Sequence, residues 1–404
     1  MTTARSRILA GAAIAVAALA GAPAAADVVT DWNQVAIQAT AFPPNAMLQA
    51  RVLAATHVAM LEALQAGSSL DPGGRDAAAA AAAYGVLTHL TSGQGEALDA
   101  ALKRTVDAVL AGAAKANGLA VGTQTAERIV ARCREDGADA KVEFTPNPGT
   151  GRWQPTPPAN APAILPHWGS VRPFVLDSAT RFPLKGPPKL DSPQYARDLD
   201  EVRDAGARLS ATRTADQTAA AIFWTVQTPV PWNAAARAAA AAHATTREEN
   251  ARLFAALNVA CSDAHVAAFE AKYRFQHWRP ITAIRARSAP GSKDATWDPL
   301  LGTPAHPEYP STHATCSGAA EAVLKGFFGS DEVAVAVTHP PTFGVTRSYR
   351  SFSQMADEVN DARVWGGLHF RSADVDGRDL GRRVGEYVLA HFPAPRRASR
   401  DPRP

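Results

Sequence analysis

Apolar residues recur at helical spacing along most of the chain. One stripe keeps this spacing over several turns: Leu98, Leu102, Val106, Val109 and Leu110. Apolar positions at this period predict a helix that packs one face against its neighbours. Alanine-rich runs at 76–83 and 233–244 also favour helix, because alanine has the highest helix propensity. Further helices are predicted at 47–64, 192–209, 217–226 and 248–273, and the predicted fold class is therefore all-α.

A proline-rich segment, residues 146–193, interrupts this pattern. Twelve of the 30 prolines fall within it, and it also contains four large aromatic residues: Trp153, Trp168, Phe174 and Phe182. Proline fixes φ and removes a main-chain donor, so the segment is irregular. The aromatic residues favour packing against a helical body over a floppy linker. The segment separates an N-terminal helical region, 27–145, from a C-terminal one, 194–392, and residues 393–404 form a tail.

The first 26 residues have the pattern of a secretory signal peptide. Arg5 and Arg7 precede an apolar run at 8–20, and small residues precede Asp27. The apolar run is too short to span a bilayer, although an uncleaved anchor helix is the alternative. The pattern predicts export to the periplasm or beyond, and the mature chain has no other stretch of membrane-spanning length.

Net charge gives no support for nucleic-acid binding. The formal charge is +3, but removal of Arg5 and Arg7 leaves 39 basic and 38 acidic residues. Binding to nucleic acid through overall charge needs a basic surface that displaces counterions. The expected partners are therefore small molecules.

The three cysteines, Cys133, Cys261 and Cys316, are too far apart in sequence for a zinc ribbon or a redox CxxC motif. One disulfide is the most they can form. Their spacing leaves open which two would pair.

Lys272 and Arg279 are the first of three groups of residues suited to holding an oxyanion. They stand seven residues apart, or two helical turns, so both cations can lie on one helix face, with Pro280 ending the helix. The alternative is a solvated basic stripe on a surface helix.

The second group follows Pro310. Ser311, Thr312 and His313 stand at the predicted start of a helix that runs to Phe328. Free main-chain N–H groups and the helix dipole attract anions at such a terminus. The alternative is a plain serine N-cap beside an unrelated histidine.

The third group contains Arg363, His369 and Asp374. Arginine offers a forked pair of donors to an oxyanion, and two glycines between Arg363 and His369 allow close approach of the backbone. Asp374 has an alternative interpretation as a first-turn acid in a helix that Ser372 caps and that runs to about residue 390.

Together the three groups match, in order, the pattern K-x6-R-P, P-S-G-H and S-R-x5-H-x3-D. On this pattern the chain resembles the superfamily of vanadium-dependent haloperoxidases and type-2 phosphatidic acid phosphatases, which are helical proteins. The resemblance implies a set of groups around the oxygens of vanadate or phosphate: Lys272, Arg279, Arg363, the Ser311 hydroxyl and the Thr312 amide. It implies that His369 binds vanadium or attacks phosphorus, and that His313 is the acid or base on the opposite side.

The chain departs from the pattern at three positions. Thr312 replaces a glycine, and Ala362 replaces the serine before the arginine. Asp374 lies five residues after His369 instead of four, so the carboxylate that orients this imidazole is either misplaced or supplied by another residue.

Vanadate and phosphate share shape and charge, so other features must choose between them. The long chain before Lys272 and the histidine at His306, seven residues before His313, favour a haloperoxidase. The resemblance then implies vanadate as cofactor, hydrogen peroxide and a halide as substrates, and Lys272 as the group that polarises the peroxide. The alternatives are an acid phosphatase that acts on a phosphate ester through phospho-His369 without a cofactor, and an inactive oxyanion-binding or structural protein.

Overall fold

The computed structural model describes residues 27–41, 45–287, 293–338 and 345–392, so the predicted signal peptide and tail lie outside the described residues. The helices are α1 (Val28–Ala39), α2 (Ala46–Ala66), α3 (Pro72–Leu90), α4 (Gly95–Asp107), α5 (Ala113–Arg134), α6 (Pro193–Ala205), α7 (Ala215–Phe223), α8 (Pro229–Ala242), α9 (Arg247–Phe275), α10 (Pro280–Arg287), α11 (Thr312–Phe328), α12 (Phe352–Trp365) and α13 (Arg371–His391). The predicted all-α class is confirmed.

An antiparallel hairpin accompanies the helices, formed by β1 (Glu332–Thr338) and β2 (Thr346–Ser351). Side chains in β1 alternate between exposed and buried, with Val333, Val335 and Val337 facing the core. This alternation of valines with polar residues or alanine is the period-two signal of a strand. The helix-only interpretation of the sequence did not include it.

The apolar stripe predicted from Leu98 onward is only partly correct. Leu98 is buried, but α4 ends at Asp107 and Leu110 is 90% exposed. The Lys115 ammonium donates to the Val106 carbonyl at 2.6 Å, which satisfies an acceptor at the end of α4. Helix α4 thus ends before the stripe does, and Leu110 lies outside the core.

Helix α9 is the centre of the molecule. Most of its residues are buried, and it packs against α2 on one side and against α11 and α13 on the other. A single hydrophobic core therefore includes residues from both sides of the proline-rich segment. Among the described residues, no helix is both long enough and apolar enough to cross a bilayer.

The proline-rich segment lies against this core. Trp153 and Trp168 are each 1% exposed. The buried Asp263 carboxylate of α9 accepts hydrogen bonds from three consecutive amides of the segment, those of Phe174, Val175 and Leu176, at 2.7, 2.8 and 2.9 Å. One carboxylate thus fixes the segment to the central helix.

Asp263→Asn is expected to remove part of the pH dependence of folding stability. Burial raises the pKa of Asp263 to about 6, whereas the amides of Leu176 and Phe174 lower it. The stability linked to this proton is present below the unfolded pKa of about 4 and is lost as pH rises through about 6, an effect of roughly 3 kcal/mol. Urea unfolding of both proteins between about pH 4 and pH 7 measures the difference. Asp191→Asn, an exposed position in the same segment, is the control, and a pH-independent difference for Asp263→Asn contradicts this assignment.

Candidate active site

The residues of the three predicted groups converge in one buried region between α9 and α13. Lys272 lies in the last turn of α9, Arg279 precedes α10, and Ser311 caps α11. Arg363 lies in the last turn of α12, and His369 lies in the loop before α13. The charges of the three cations all act on His369, and those of Lys272 and Arg363 also act on His313. The sequence groups therefore form a single cluster.

Lys272 and Arg279 do not share a helix, and the prediction that they do is wrong. Helix α9 ends at Phe275, and Gln276 adopts the left-handed conformation with φ 52°. Pro280 is the first residue of α10, a position that suits its fixed φ and its lack of an N–H. Arg279 is thus placed by a turn, and its side chain still reaches the buried cluster.

The Lys272 ammonium is fully buried and donates to three main-chain carbonyls. It bonds to Pro307 at 3.0 Å, to Glu308 at 2.9 Å and to Pro310. These bonds use all three of its donors. Burial and the Arg279 charge lower the pKa of Lys272 well below its usual value. In this geometry Lys272 holds the 307–310 loop, and direct contact with an oxyanion, as predicted from the sequence, requires one of these bonds to break.

Arg279 joins the loop that contains His306 to the loop that contains Leu368 and His369. Its Nε donates to the His306 carbonyl at 3.0 Å, and one terminal nitrogen donates to the Leu368 carbonyl at 2.9 Å. The same nitrogen lies 3.3 Å from Nε2 of His369, and the other lies 3.1 Å from Nδ1 of His306. Burial lowers the pKa of Arg279 to about 10, so it stays charged at neutral pH.

Arg363 keeps an unused donor. One terminal nitrogen donates to the Trp224 carbonyl at 2.9 Å, while its buried Nε has no hydrogen-bond partner among the described residues. Burial lowers its pKa to about 10, and the Asp374 charge opposes that effect. An unsatisfied buried guanidinium N–H is costly, and an oxyanion would satisfy it.

The start of α11 adds further polar groups. The Ser311 hydroxyl accepts from the Ala314 amide at 3.4 Å, as an N-cap does, and Thr312 is the first helical residue. Thr312 does not have a positive φ, so the replacement of glycine causes no backbone strain. The Thr312 hydroxyl and Nε2 of His313 are buried and have no partner within the described ranges.

Close packing of α11 on α13 sets the position of these groups. A Cβ at Gly381 would lie 1.9 Å from the Thr315 carbonyl oxygen, so only glycine permits this approach. The Ser311 amide donates to the Ala373 carbonyl at 3.0 Å. The first turns of the two helices therefore lie side by side, with Ser311 next to Asp374.

Glu308 is the residue that the sequence analysis missed. Its Oε1 accepts from Nδ1 of His369 at 2.9 Å and from the Phe370 amide at 3.0 Å. With the proton on Nδ1, the lone pair of His369 lies on Nε2, the nitrogen that faces Arg279. Burial raises the pKa of Glu308 to about 8, although the Arg279 and Lys272 charges lower it. The His-Pro-Glu-Tyr-Pro sequence, with an acid between two prolines, was the available signal.

Asp374 does not orient His369. It is fully buried in the first turn of α13 beside the Ser311 hydroxyl, without a well-aligned hydrogen bond to it. Burial raises its pKa to about 8, and the Ser311 hydroxyl and the arginines lower it. The predicted Ser372 cap is wrong, since Phe370 is the N-cap of α13 and the Ser372 amide donates to Asp198 at 3.2 Å.

His306, predicted near the site from the sequence, is part of the cluster. It is buried, its ring packs 5.3 Å from that of Phe269, and its Nδ1 faces Arg279. Burial and the charges of Lys272 and Arg279 lower its pKa well below the usual value.

The cluster fits an oxyanion such as vanadate. It combines three buried cations with the unpartnered donors of Arg363 and Thr312 and with an Nε2 lone pair on His369. Burial lowers the pKa of each cation, which shows that desolvation opposes their charge. A multiply charged anion in contact with the cluster would compensate for this cost.

Comparisons with known proteins agree with this geometry. A family model described as the VCPO second helical-bundle domain matches residues 252–397. The vanadium chloroperoxidase of Curvularia inaequalis is 36% identical over 89 residues, which are 19% of this chain and 14% of that protein. The chain thus spans only a small part of the length of this curated relative.

Solved structures match over most of the chain. A bacterial vanadium-dependent iodoperoxidase has a TM-score of 0.77 and 27% identity, covering 90% of this chain and 94% of that one. The apo form of a bacterial vanadium-dependent chloroperoxidase has a TM-score of 0.70 and 18% identity, covering 88% and 95%. The matched domain and the iodoperoxidase likeness, together with the converging cluster, support the resemblance to the superfamily of vanadium-dependent haloperoxidases and type-2 phosphatidic acid phosphatases that the three sequence groups indicate.

Proposed function

We propose that this protein is a vanadium-dependent haloperoxidase that oxidises a halide with hydrogen peroxide. The observation that carries the proposal is the pairing of His369 with Glu308 inside a group of three buried cations. The pairing presents an unprotonated Nε2, the kind of nitrogen that ligates a metal centre. The cations supply the positive charge that vanadate needs. When bound, vanadate would act as a Lewis acid that activates peroxide, and the oxidation state of the vanadium would not change.

Arg363 and the start of α11 are the groups best placed to hold the oxygens of vanadate. The Arg363 Nε–H and the Thr312 hydroxyl have no competing partner among the described residues. The Thr312 amide lies at the first position of α11, where main-chain N–H groups have no acceptor within the helix. Arg279 and Lys272 contribute charge and hold the loops that carry His369 and Glu308 in position.

His313 is suited to act as a base. It donates to the Val226 carbonyl, and because Nε2 has no partner in the described part of the chain, the donor is Nδ1. The lone pair therefore lies on Nε2. Burial and the Arg363 charge lower the pKa of His313 well below its usual value, which keeps the ring neutral. Nε2 can accept a proton from hydrogen peroxide as it binds.

A phosphatase is the second candidate, because a carboxylate–histidine pair also makes a nucleophile. Glu308 would then raise the reactivity of Nε2 of His369 toward phosphorus. The haloperoxidase proposal is preferred because it draws on the iodoperoxidase likeness, which extends over 90% of the chain. We also propose that the mature protein is exported, because residues 1–26 have the pattern of a signal peptide.

A paired assay tests the proposed function. The purified chain is incubated with and without orthovanadate, and the oxidation of bromide or iodide by hydrogen peroxide is followed beside the hydrolysis of an aryl phosphate. Halide oxidation that requires orthovanadate is the expected result. Hydrolysis of the aryl phosphate that orthovanadate inhibits would instead identify a phosphatase. Absence of both turnovers would leave an oxyanion-binding protein and overturn the proposal.

A further inference from the structure

Two cysteine thiols meet between the central helix and α11. Cys261 lies on α9 and Cys316 on α11, and both are fully buried and unoxidised. The Cys261 thiol donates to the Cys316 carbonyl oxygen at 3.8 Å, and its sulfur lies close enough to that of Cys316 for the two thiols to interact electrostatically. The structure thus brings together two of the three cysteines, a pairing that sequence spacing left open.

The surroundings of Cys316 distinguish it from an inert buried thiol. His265 and Thr228 both lie beside its sulfur, and their side chains bond to each other at 3.1 Å. Burial alone would raise the pKa of Cys316, but interactions with Cys261, His265 and Thr228 lower it below its usual value. Thiolate is the nucleophilic form of cysteine, so Cys316 is the more reactive member of the pair.

The third cysteine provides an internal comparison. Cys133 lies on α5 and is also buried, near Arg51 and Asp136. Burial raises the pKa of its thiol. Its environment therefore favours the unreactive thiol form.

The cysteine pair adjoins the candidate active site. Cys316 follows His313 by three residues, one turn of α11, and the charge of His265 acts on His313. An oxidant that reaches His313 is therefore one helical turn from the Cys316 sulfur. In the proposed function this oxidant is hydrogen peroxide.

We propose that Cys261 and Cys316 are an oxidisable pair that hydrogen peroxide converts to a disulfide between α9 and α11. The Cys316 sulfur attacks one peroxide oxygen, the O–O bond breaks, and a sulfenic acid and water form. The Cys261 sulfur then attacks the sulfenic sulfur, forming the S–S bond and releasing a second water. Two thiols are oxidised and one peroxide is reduced, so the step needs no other reactant.

The disulfide would link two of the helices that position the candidate site. Helix α9 holds Lys272, and α11 holds Thr312 and His313, with Ser311 as its cap. The crosslink closes a loop of 55 residues, which restricts the unfolded chain. The proposal depends on the proposed function only for the source of the peroxide, since added peroxide can replace it.

Thiol counting tests the pair directly. The full chain is treated with hydrogen peroxide, denatured and alkylated with N-ethylmaleimide, and its intact mass gives the number of labelled cysteines. The expected result is a fall from three labels to one, with the remaining label on Cys133 and with all three restored by dithiothreitol. Cys133→Ser is the matched control and should fall from two labels to none. Cys261→Ala should trap Cys316 as a sulfenic acid that reacts with dimedone.

Two results would contradict the proposal that Cys261 and Cys316 form a disulfide. One is retention of the labels on Cys261 and Cys316 at peroxide levels that oxidise Cys133. The other is loss of these labels that dithiothreitol does not reverse, which indicates sulfinic acid instead of a disulfide. Because the labelling needs neither vanadate nor halide, a negative halide-oxidation assay does not affect this result, and a negative labelling result does not affect the proposed function.

Discussion

Arg363→Lys is expected to lower the rate of vanadate-dependent halide oxidation about 100- to 1000-fold, the usual loss when a donor to a developing oxyanion is removed. Lysine keeps the positive charge but loses the guanidinium fork and the Nε–H that has no partner among the described residues. The shorter reach of its charge also leaves the Trp224 carbonyl without the bond that Arg363 donates. Steady-state kinetics with saturating orthovanadate measure this loss.

Arg382→Lys is the matched control for that variant. Arg382 is also near the C-terminal end of the chain, but it is exposed and pairs with Asp379 and Glu386 on the surface of α13. Its replacement should leave the rate unchanged. Equal rates for Arg363→Lys and Arg382→Lys would show that the Arg363 fork does not hold the reacting oxyanion.

Glu308→Gln is expected to weaken orthovanadate binding about 10- to 100-fold, the typical effect of losing the partner that orients a metal-ligating histidine. Glutamine fills nearly the same volume and can still accept from the Phe370 amide. It cannot ionise, whereas Glu308 above its pKa of about 8 carries the negative charge that strengthens the bond from Nδ1 of His369 and makes Nε2 more basic, so the affinities are compared above that pH. Titration with orthovanadate, followed by calorimetry, gives the affinity of each protein.

The variant Asp374→Asn distinguishes the role of Asp374 from that of Glu308. Asp374 occupies the position closest to the carboxylate of the superfamily pattern, but it lies beside Ser311 and not on His369. Its replacement should weaken the binding of orthovanadate less than Glu308→Gln does. A larger effect of Asp374→Asn would return the orienting role to Asp374 and contradict the assignment of Glu308.

The sequence was sufficient to find the members of the three groups, though not Glu308, because each group carries its chemistry in a few adjacent residues. Ser311 and His313 lie at the start of a helix, as the turn at Pro310 predicts. The position of Arg279 could not be predicted in the same way. Two cations seven residues apart suit a continuous helix, but the left-handed Gln276 ends α9 before Arg279. A single residue in a sparsely populated conformation overrode the helical spacing.

The roles of Glu308 and Lys272 depend on contacts that distant parts of the chain make. Glu308 meets His369 across 61 residues of sequence, so no local spacing reveals the pair. The carbonyls that engage Lys272 are available because prolines in the 307–310 loop prevent regular secondary structure. Both contacts follow from how α9, α11 and α13 pack, and a single sequence does not specify that packing by local pattern alone.

The central claim is that this cluster binds vanadate through His369. Its most direct test is a titration of the purified chain with orthovanadate beside His369→Ala, followed by calorimetry and by ⁵¹V NMR. His89→Ala, which removes an exposed histidine of α3, is the control. We expect one vanadate to bind per chain, with the same affinity in His89→Ala. His369→Ala should weaken binding by about 100-fold or more, because losing a direct ligand costs more affinity than the roughly 10- to 100-fold lost with a partner that only orients it. Binding of equal strength to the wild-type protein and His369→Ala would contradict the account.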